Sequence, residues 1–151
     1  YASTDDVIRE VLLAYKSRGQ HFQRFCCIYP TAPFVTAQKL KTAMELLDKA
    51  ESVMPVVPFS YPPQRGIILE NGRVRRKYPE FLTTRSQDLE TMYHQFYACR
   101  TDAFFRDSTT DVDDLLPMIM PEMEVQDIDT EEDWAIAELK FLHMKDGNPA
   151  P

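Results

Sequence analysis

The chain has 151 residues, a length that fits one domain or most of one. Its 24 acidic and 17 basic side chains give a net charge of −7, which argues against a nucleic-acid partner because phosphate-binding surfaces are basic. Apolar residues make up 44% of the chain, as in globular proteins with a core. No run of about 18 apolar residues occurs, so no membrane partner is predicted, and residues 1–6 are too polar to resemble a signal peptide.

Glycine and cysteine usage excludes several kinds of site. The four glycines are too widely spaced to form a glycine-rich phosphate loop. Three cysteines, two of them adjacent at Cys26 and Cys27, are not a disulfide framework. They indicate buried thiols in a reducing compartment, and we expect the protein to be cytoplasmic. The three histidines have no partners at zinc-ligand spacing.

The first third of the chain alternates between helix and strand patterns. A capped helix is predicted to begin at residues 3–4 and to end near Gly19. Residues 25–29 are a continuous apolar run, which predicts a buried strand. Thr36 is the predicted N-cap of a second helix, and residues 53–57 predict the next strand. This order predicts a βαβ unit in a parallel sheet.

The rest of the chain predicts shorter elements. Residues 67–74 predict a β-hairpin, because Asn71-Gly72 suits a type I′ turn. Residues 130–133 resemble a capping box that opens a helix reaching about Met144. Further short strands are predicted at 96–99, 116–120 and 125–128.

Asp127 and Asp129 are the strongest candidates for a metal-binding site. On a strand, side chains at i and i+2 share a face, with Cα atoms roughly 7 Å apart. Two such carboxylates suit Mg²⁺, which completes its coordination with water and substrate phosphates. The alternative is a solvated acidic edge. A rival acidic cluster, formed by Asp111, Asp113 and Asp114, is interpreted as a solvated loop.

A second set of candidates is basic. Arg65 and Arg85 lie in predicted loops, where guanidinium groups suit bidentate capture of a carboxylate or phosphate. The alternative is ordinary surface charge, which is our interpretation of the basic residues in 73–77. Tyr93 and His94 are more typical of a structural pair than of an acid–base pair. No serine or cysteine lies in a nucleophile motif, so a triad hydrolase is not supported.

Four stretches of the sequence occur together in one order. They are residues 27–34 (CIYPTAPF), 84–90 (TRSQDLE), 93–94 (YH) and 126–134 (QDIDTEEDW). Together they resemble the cytidylyltransferases that activate nonulosonic acids, the acylneuraminate family. The resemblance implies an α/β fold like that of the nucleotide-diphospho-sugar transferases, with a mixed, mostly parallel sheet flanked by helices. It implies one partial domain over residues 1–151, the C-terminal two thirds of the family's domain, with a frayed tail at 145–151.

The resemblance also implies a reaction and a set of roles. The reaction is Mg²⁺-dependent transfer of CMP from CTP to a sialic-acid-like sugar, expected to be pseudaminic acid, with release of pyrophosphate. Asp127 and Asp129 match metal-binding positions, and Thr4 matches a nucleotide contact. The sugar-binding residues that the resemblance implies are Tyr29, Arg65, Arg85, Gln87, Tyr93 and His94.

The sequence departs from the family pattern in two places. The glycine-rich segment that binds the CTP triphosphate in the family would precede Tyr1. The family also carries a short turn, typically Asp-Ala-Gly, where His94 is followed here directly by Gln95. We expect these 151 residues alone to be inactive. The alternatives are a non-catalytic fragment or interaction module, an acidic protein–protein module, or a cytidylyltransferase for another sugar acid. Without the strand of the family's first segment, the sheet would have an open edge, which invites pairing with another chain, and a homodimer is one such pairing.

Overall fold

A computed structural model describes residues 2–58, 63–81, 92–94 and 96–146, with the backbone alone at 92–94. The chain divides into two compact units, Tyr1–Val56 with His94–Pro151 and the hairpin unit Val57–Tyr93. The elements in chain order are α1 (Thr4–Ser17), β1 (Arg24–Ile28), α2 (Ala37–Leu46), β2 (Ser52–Pro58), β3 (Ile67–Glu70), β4 (Arg73–Arg76), β5 (Met92–His94), β6 (Phe96–Arg100), α3 (Thr101–Asp107), β7 (Leu115–Ile119) and α4 (Glu131–Lys145).

Helix α1 is stabilised at both ends by local chemistry. The Ser3 side chain accepts a hydrogen bond from the Asp6 N–H, and the Asp6 carboxylate accepts one from the Ser3 N–H. This reciprocal capping box satisfies two backbone donors that the first turn leaves free. Gly19, at φ +76°, follows the helix in the left-handed conformation that glycine adopts without strain. The predicted start and end of the helix are confirmed.

The main sheet is mixed, as predicted, but the prediction that it is mostly parallel is wrong for the three strand pairs whose direction the structure describes, because two are antiparallel and one is parallel. Its strand order is β1-β6-β2-β5, and β7 also pairs with β2. Both β1 and β2 run antiparallel to β6, so they are parallel to each other, and β7 is parallel to β2. The predicted strand–helix–strand order is therefore present and its two strands are parallel. The predicted parallel sheet is wrong here, because β6 lies between these strands and runs antiparallel to both.

Strand β1 is less buried than predicted. Residues 24–27 are half-buried, and Ile28 is 44% exposed. The reason is the position of β1 at the end of the strand order, where β6 is its hydrogen-bonded neighbour within the described part of the chain. An apolar run on both faces does not by itself predict a central strand.

Helices cover both faces of this sheet. Adjacent residues of a strand point to opposite faces, so Ala98 and Cys99 of β6 belong to different core clusters. On one face, α2 packs on the sheet through Ala43, Leu47, Val53, Phe96, Ala98 and Met118. On the other face, α1 and α3 pack through Ile8, Leu12, Cys99 and Phe104.

The hairpin unit has the predicted β-hairpin. Strands β3 and β4 pair from Ile67↔Arg76 to Glu70↔Arg73. Asn71 and Gly72 have φ values of 51° and 70°, as a type I′ turn requires at both central positions. Arg75 forms an exposed ion pair with Glu70 at 3.1 Å, consistent with its interpretation as surface charge.

The strand predicted at residues 125–128 is wrong. A short 3₁₀ helix, Glu122–Glu124, follows β7, and all four of these residues then take an irregular path to α4. Asp127 and Asp129 therefore lie on an irregular segment and not on a strand. Helix α4 begins at Glu131 with the predicted capping box between Thr130 and Asp133. Among the helices of the described residues, none is long and apolar enough to cross a membrane.

Candidate functional site

Some of the predicted site residues cannot be placed by their side chains. Arg85 and Gln87 lie outside the described residues, and Tyr93 and His94 are described only as backbone in β5. Arg65 ends a short 3₁₀ helix in the hairpin unit, where its carbonyl oxygen accepts a hydrogen bond from Arg76 at 3.1 Å. These roles remain predictions.

The loop after β1 contacts the segment that carries the two aspartates. The Ala32 N–H donates to the carbonyl oxygen of Tyr29 at 3.1 Å, which turns the chain directly after the strand. The Ile128 N–H donates to the carbonyl oxygen of Thr31 at 3.2 Å. Two stretches almost 100 residues apart in sequence are thus joined, and Tyr29 lies on the loop that carries this contact.

Residues 125–129 carry the two aspartates and form the aspartate segment. Its C-terminal end is fixed by the start of α4. Asp127 is half-buried and Asp129 is exposed. The Asp133 carboxylate accepts hydrogen bonds from the N–H of Asp129 at 3.2 Å and of Thr130 at 2.9 Å. Its hydrogen bond from the Thr130 side chain holds the pKa of Asp133 below its ordinary value. The carboxylate is therefore ionised at neutral pH and fixes the backbone immediately after Asp129.

Two lysines contact the chain at the N-terminal end of the aspartate segment. Lys39 of α2 pairs with the Glu124 carboxylate at 3.0 Å, and Lys140 of α4 donates to the carbonyl oxygen of Val125 at 2.7 Å. Burial lowers the pKa of Lys140. Sequence reasoning missed both lysines. For Lys140 a signal existed, because it lies three residues from the buried Ala137 and hence on the same helix face.

The two aspartates would supply only part of the ligands of a metal ion. Among the described residues, no group of three or more His, Cys, Asp or Glu side chains could enclose a metal. Asp127 and Asp129 supply two carboxylates within three residues. That donor set suits Mg²⁺, which is bound by one or two carboxylates together with water and substrate phosphates. When bound, such an ion would neutralise phosphate charge and polarise a phosphoryl oxygen.

Thr4 and its neighbour lie at the start of α1. Thr4 is exposed, whereas Asp5 is half-buried and its carboxylate accepts a hydrogen bond from the Thr110 N–H at 3.2 Å. This bond attaches the helix start to the loop after α3. The acidic cluster in that loop, Asp111, Asp113 and Asp114, is exposed as interpreted from the sequence.

Tyr29 packs against a second tyrosine that the sequence did not single out. The ring of Tyr97 on β6 lies edge-on to that of Tyr29, with centroids 6.1 Å apart. Burial, with the neighbouring Tyr29 as the next cause, raises the pKa of Tyr97 above its ordinary value. Tyr97 therefore stays protonated and can donate a hydrogen bond. The register pair Cys27↔Tyr97 places the ring beside the end of β1, a relation that only the strand pairing reveals.

The cysteines are not reactive groups of this site. All three are free thiols; Cys26 and Cys27 are half-buried and Cys99 is buried. Burial raises the pKa of Cys26 and of Cys99 to about 11. Because the thiolate is the nucleophilic form, these thiols are inert near neutral pH.

Cavities in the described part of the first unit do not include the predicted site residues. One, of about 530 Å³, is lined in part by Phe34, Lys39 and Glu124. Another, of about 720 Å³, is lined by Lys16, His21 and Arg100 among others. Neither is lined by a predicted site residue.

Known proteins similar to this chain share one activity in their names. No protein-family model matches the chain. Pseudaminic acid cytidylyltransferases of Campylobacter jejuni subsp. jejuni serotypes O:2 and O:23/36 are each 29% identical to it over 147 residues, which is 93% of this chain and 63% of each relative. A Helicobacter pylori protein, named pseudaminic acid cytidylyltransferase and UDP-2,4-diacetamido-2,4,6-trideoxy-beta-L-altropyranose hydrolase, is 34% identical over 109 residues, 68% of this chain and 21% of that protein.

Proposed function

Because the chain belongs to the family of the pseudaminic acid cytidylyltransferases, we propose that the protein transfers CMP from CTP to a nonulosonic acid. The expected acceptor is pseudaminic acid, and the fold is that of the nucleotide-diphospho-sugar transferases. The chain spans 63% of the length of each of the two Campylobacter jejuni relatives, so this proposal concerns the whole protein.

The proposed reaction is an in-line phosphoryl transfer. The anomeric hydroxyl oxygen of the sugar acid forms a bond to the α-phosphorus of CTP. The bond from that phosphorus to the bridging oxygen of the β-phosphate breaks, pyrophosphate leaves, and the hydroxyl proton passes to solvent. Positioning of the two substrates and neutralisation of charge supply most of the rate enhancement in this class of reaction.

The observation that carries the proposal is the hydrogen bond between Ile128 and Thr31 at 3.2 Å. It joins two of the four stretches on which the family resemblance rests. Tyr29, a proposed sugar contact, and Asp127, a proposed Mg²⁺ ligand, therefore lie on adjoining loops. This contact between the two loops suits a reaction in which the sugar hydroxyl must meet the α-phosphate of CTP.

The other proposed roles follow from chemistry. Arg65 and Arg85 would pair with the sugar carboxylate, because guanidinium groups match carboxylate geometry. Gln87, Tyr93 and His94 would contact polar groups of the sugar, and Thr4 the nucleotide.

Product analysis tests the proposed function. The full-length protein is incubated with Mg²⁺, CTP and pseudaminic acid, and the mixture is analysed by mass spectrometry. We expect a CMP-sugar and pyrophosphate in equal amounts, and much less product when UTP replaces CTP or N-acetylneuraminic acid replaces pseudaminic acid. Absence of any CMP-sugar from either acid would favour the competing interpretation, a non-catalytic interaction module.

A further inference from the structure

We propose that Lys39 and Lys140 are positioning residues that fix the backbone leading to Asp127 and Asp129, so that both carboxylates are held ready for a divalent cation. This inference rests on the proposed function, which assigns the two aspartates to the metal. It assigns a role to two lysines that lie on different helices, α2 and α4.

The turn before the aspartates consists of residues 122–125. Lys140 binds carbonyl oxygens of this turn. Its half-buried ammonium donates to the carbonyl oxygens of Glu122 at 3.2 Å and Val125 at 2.7 Å. These carbonyls lie at the start and just past the end of the 3₁₀ helix Glu122–Glu124. The Glu122 carbonyl also accepts from the Val125 N–H at 3.3 Å within the turn, whereas the Val125 carbonyl lies past the helix end, where a cation satisfies a backbone acceptor well. Lys140 is thus a cap that comes from another element.

Lys39, on helix α2, binds the same turn. Its ammonium, on a side chain only 15% exposed, donates to the carbonyl oxygens of Phe34 at 2.9 Å and Glu124 at 3.3 Å. It also pairs with the Glu124 carboxylate at 3.0 Å. These three contacts match the three donors of a lysine ammonium. Lys39 therefore ties the loop after β1 to the turn before the aspartates.

The two lysines leave little freedom at Asp127. The Val125 carbonyl is fixed by Lys140, and the Ile128 N–H is fixed by Thr31. Only two residues lie between these anchored peptide groups, and one of them is Asp127. A segment outside a strand ladder needs such partners for its backbone groups. Without the ammonium groups, the segment would keep its hydrogen bonds to Thr31 and Asp133 but lose the contacts that Lys39 and Lys140 make on its N-terminal side.

Removing a positioning residue changes metal affinity, whereas removing a residue that only stabilises the fold changes the unfolding temperature. Partners that orient metal ligands typically change metal affinity about 10–100-fold when removed. A lysine that only stabilises the fold would lower the unfolding temperature and leave metal affinity in the folded protein unchanged. Metal affinity and stability must therefore be measured on the same variants.

The test is a Mn²⁺ titration of the full-length protein by electron paramagnetic resonance, with thermal unfolding in parallel. Lys39→Met and Lys140→Met keep the aliphatic stem and remove the ammonium. We expect each to raise the Kd for Mn²⁺ about tenfold or more, and Lys140→Arg to restore much of the affinity. Lys41→Met is the matched control, because Lys41 is also on α2 but its side chain is 69% exposed. If one methionine variant does not fold, the other carries the test.

The outcomes separate this inference from the proposed function. Asp127→Asn is titrated beside the lysine variants and is expected to lose Mn²⁺ binding. Loss of binding in Asp127→Asn with unchanged Kd in both folded methionine variants would overturn the positioning role alone. Unchanged binding in Asp127→Asn would overturn the metal assignment and this inference with it. Absence of Mn²⁺ binding by the unaltered protein would overturn this inference, because it requires the carboxylates to be positioned before the substrate phosphates bind.

Discussion

The Ile128 N–H donates a hydrogen bond to the carbonyl oxygen of Thr31 at 3.2 Å, and this contact joins the loop after β1 to the aspartate segment. It brings Tyr29 and Asp127 onto adjoining loops, although almost 100 residues separate them in sequence. Because the bond uses only backbone atoms, side-chain identity at these two positions does not reveal it.

Replacing Ile128 by proline tests this contact directly. Ile128→Pro removes the N–H donor and restricts the conformation of Asp127 before it. We expect a loss of about 1 kcal/mol or more in the free energy of unfolding and a marked rise in the Mg²⁺ concentration needed for pyrophosphate release. Ile128→Val keeps the N–H and is the control. The same Mg²⁺ dependence in the proline variant and the unaltered protein would show that the contact does not shape the site.

Arg85 is predicted to bind the sugar carboxylate. Removing one partner of a buried charge pair commonly costs about 2–5 kcal/mol. We expect Arg85→Ala in the full-length protein to raise KM for the sugar acid far more than KM for CTP, measured by initial rates of pyrophosphate release. Arg75→Ala, in the exposed pair with Glu70, is the control and should change neither value. Equal effects of Arg85→Ala on both KM values would remove Arg85 from the sugar site.

A protein limited to these 151 residues is expected to bind CTP only weakly and not to turn over. Triphosphate binding depends on backbone N–H groups and basic side chains, and this sequence has four scattered glycines and a net charge of −7. Titration calorimetry with CTP and Mg²⁺ measures the affinity. Micromolar binding, roughly −8 kcal/mol, would contradict the prediction and direct attention to four basic residues of the hairpin unit, Arg73, Arg75, Arg76 and Lys77.

The buried thiols predict a pH dependence of stability. Burial raises the pKa of Cys26 and Cys99 from 9.0 to about 11, so the folded protein keeps protons that the unfolded chain releases. The stability contributed by each thiol is complete below about pH 9 and is lost as the pH rises through about 11. In urea unfolding over this range, we expect Cys99→Ala to lose stability less steeply with pH than the unaltered protein. Equal slopes for the two proteins would show that Cys99 does not contribute to the pH dependence of stability.

Local chemistry made much of the fold predictable. The capping boxes at Ser3 and Thr130, the type I′ turn at Asn71-Gly72 and the periodic apolar face of α2 all depend on residues close in sequence. The apolar face of α2 also agrees with the packing of the core around it, so the local pattern was sufficient there.

Long-range contacts determined what the sequence did not reveal. The sequence predicts a strand at residues 125–128, but Lys140 of α4 binds the carbonyl oxygen of Val125 and the carbonyl oxygen of Thr31 accepts from the N–H of Ile128 instead. Likewise, nothing local shows that β6 lies between β1 and β2. The candidate aspartates could be named from the sequence, but the contacts that hold them could not.

The most direct test of the account is the rate of pyrophosphate release by full-length Asp127→Asn and Asp129→Asn variants with Mg²⁺, CTP and pseudaminic acid. Asp113→Asn, at an exposed aspartate of the loop before β7, is the matched control. We predict that both site variants fold normally and lose Mg²⁺-dependent release, whereas the control keeps it. Release at the unaltered rate in either Asp127→Asn or Asp129→Asn would contradict the assignment of the aspartate segment to the metal.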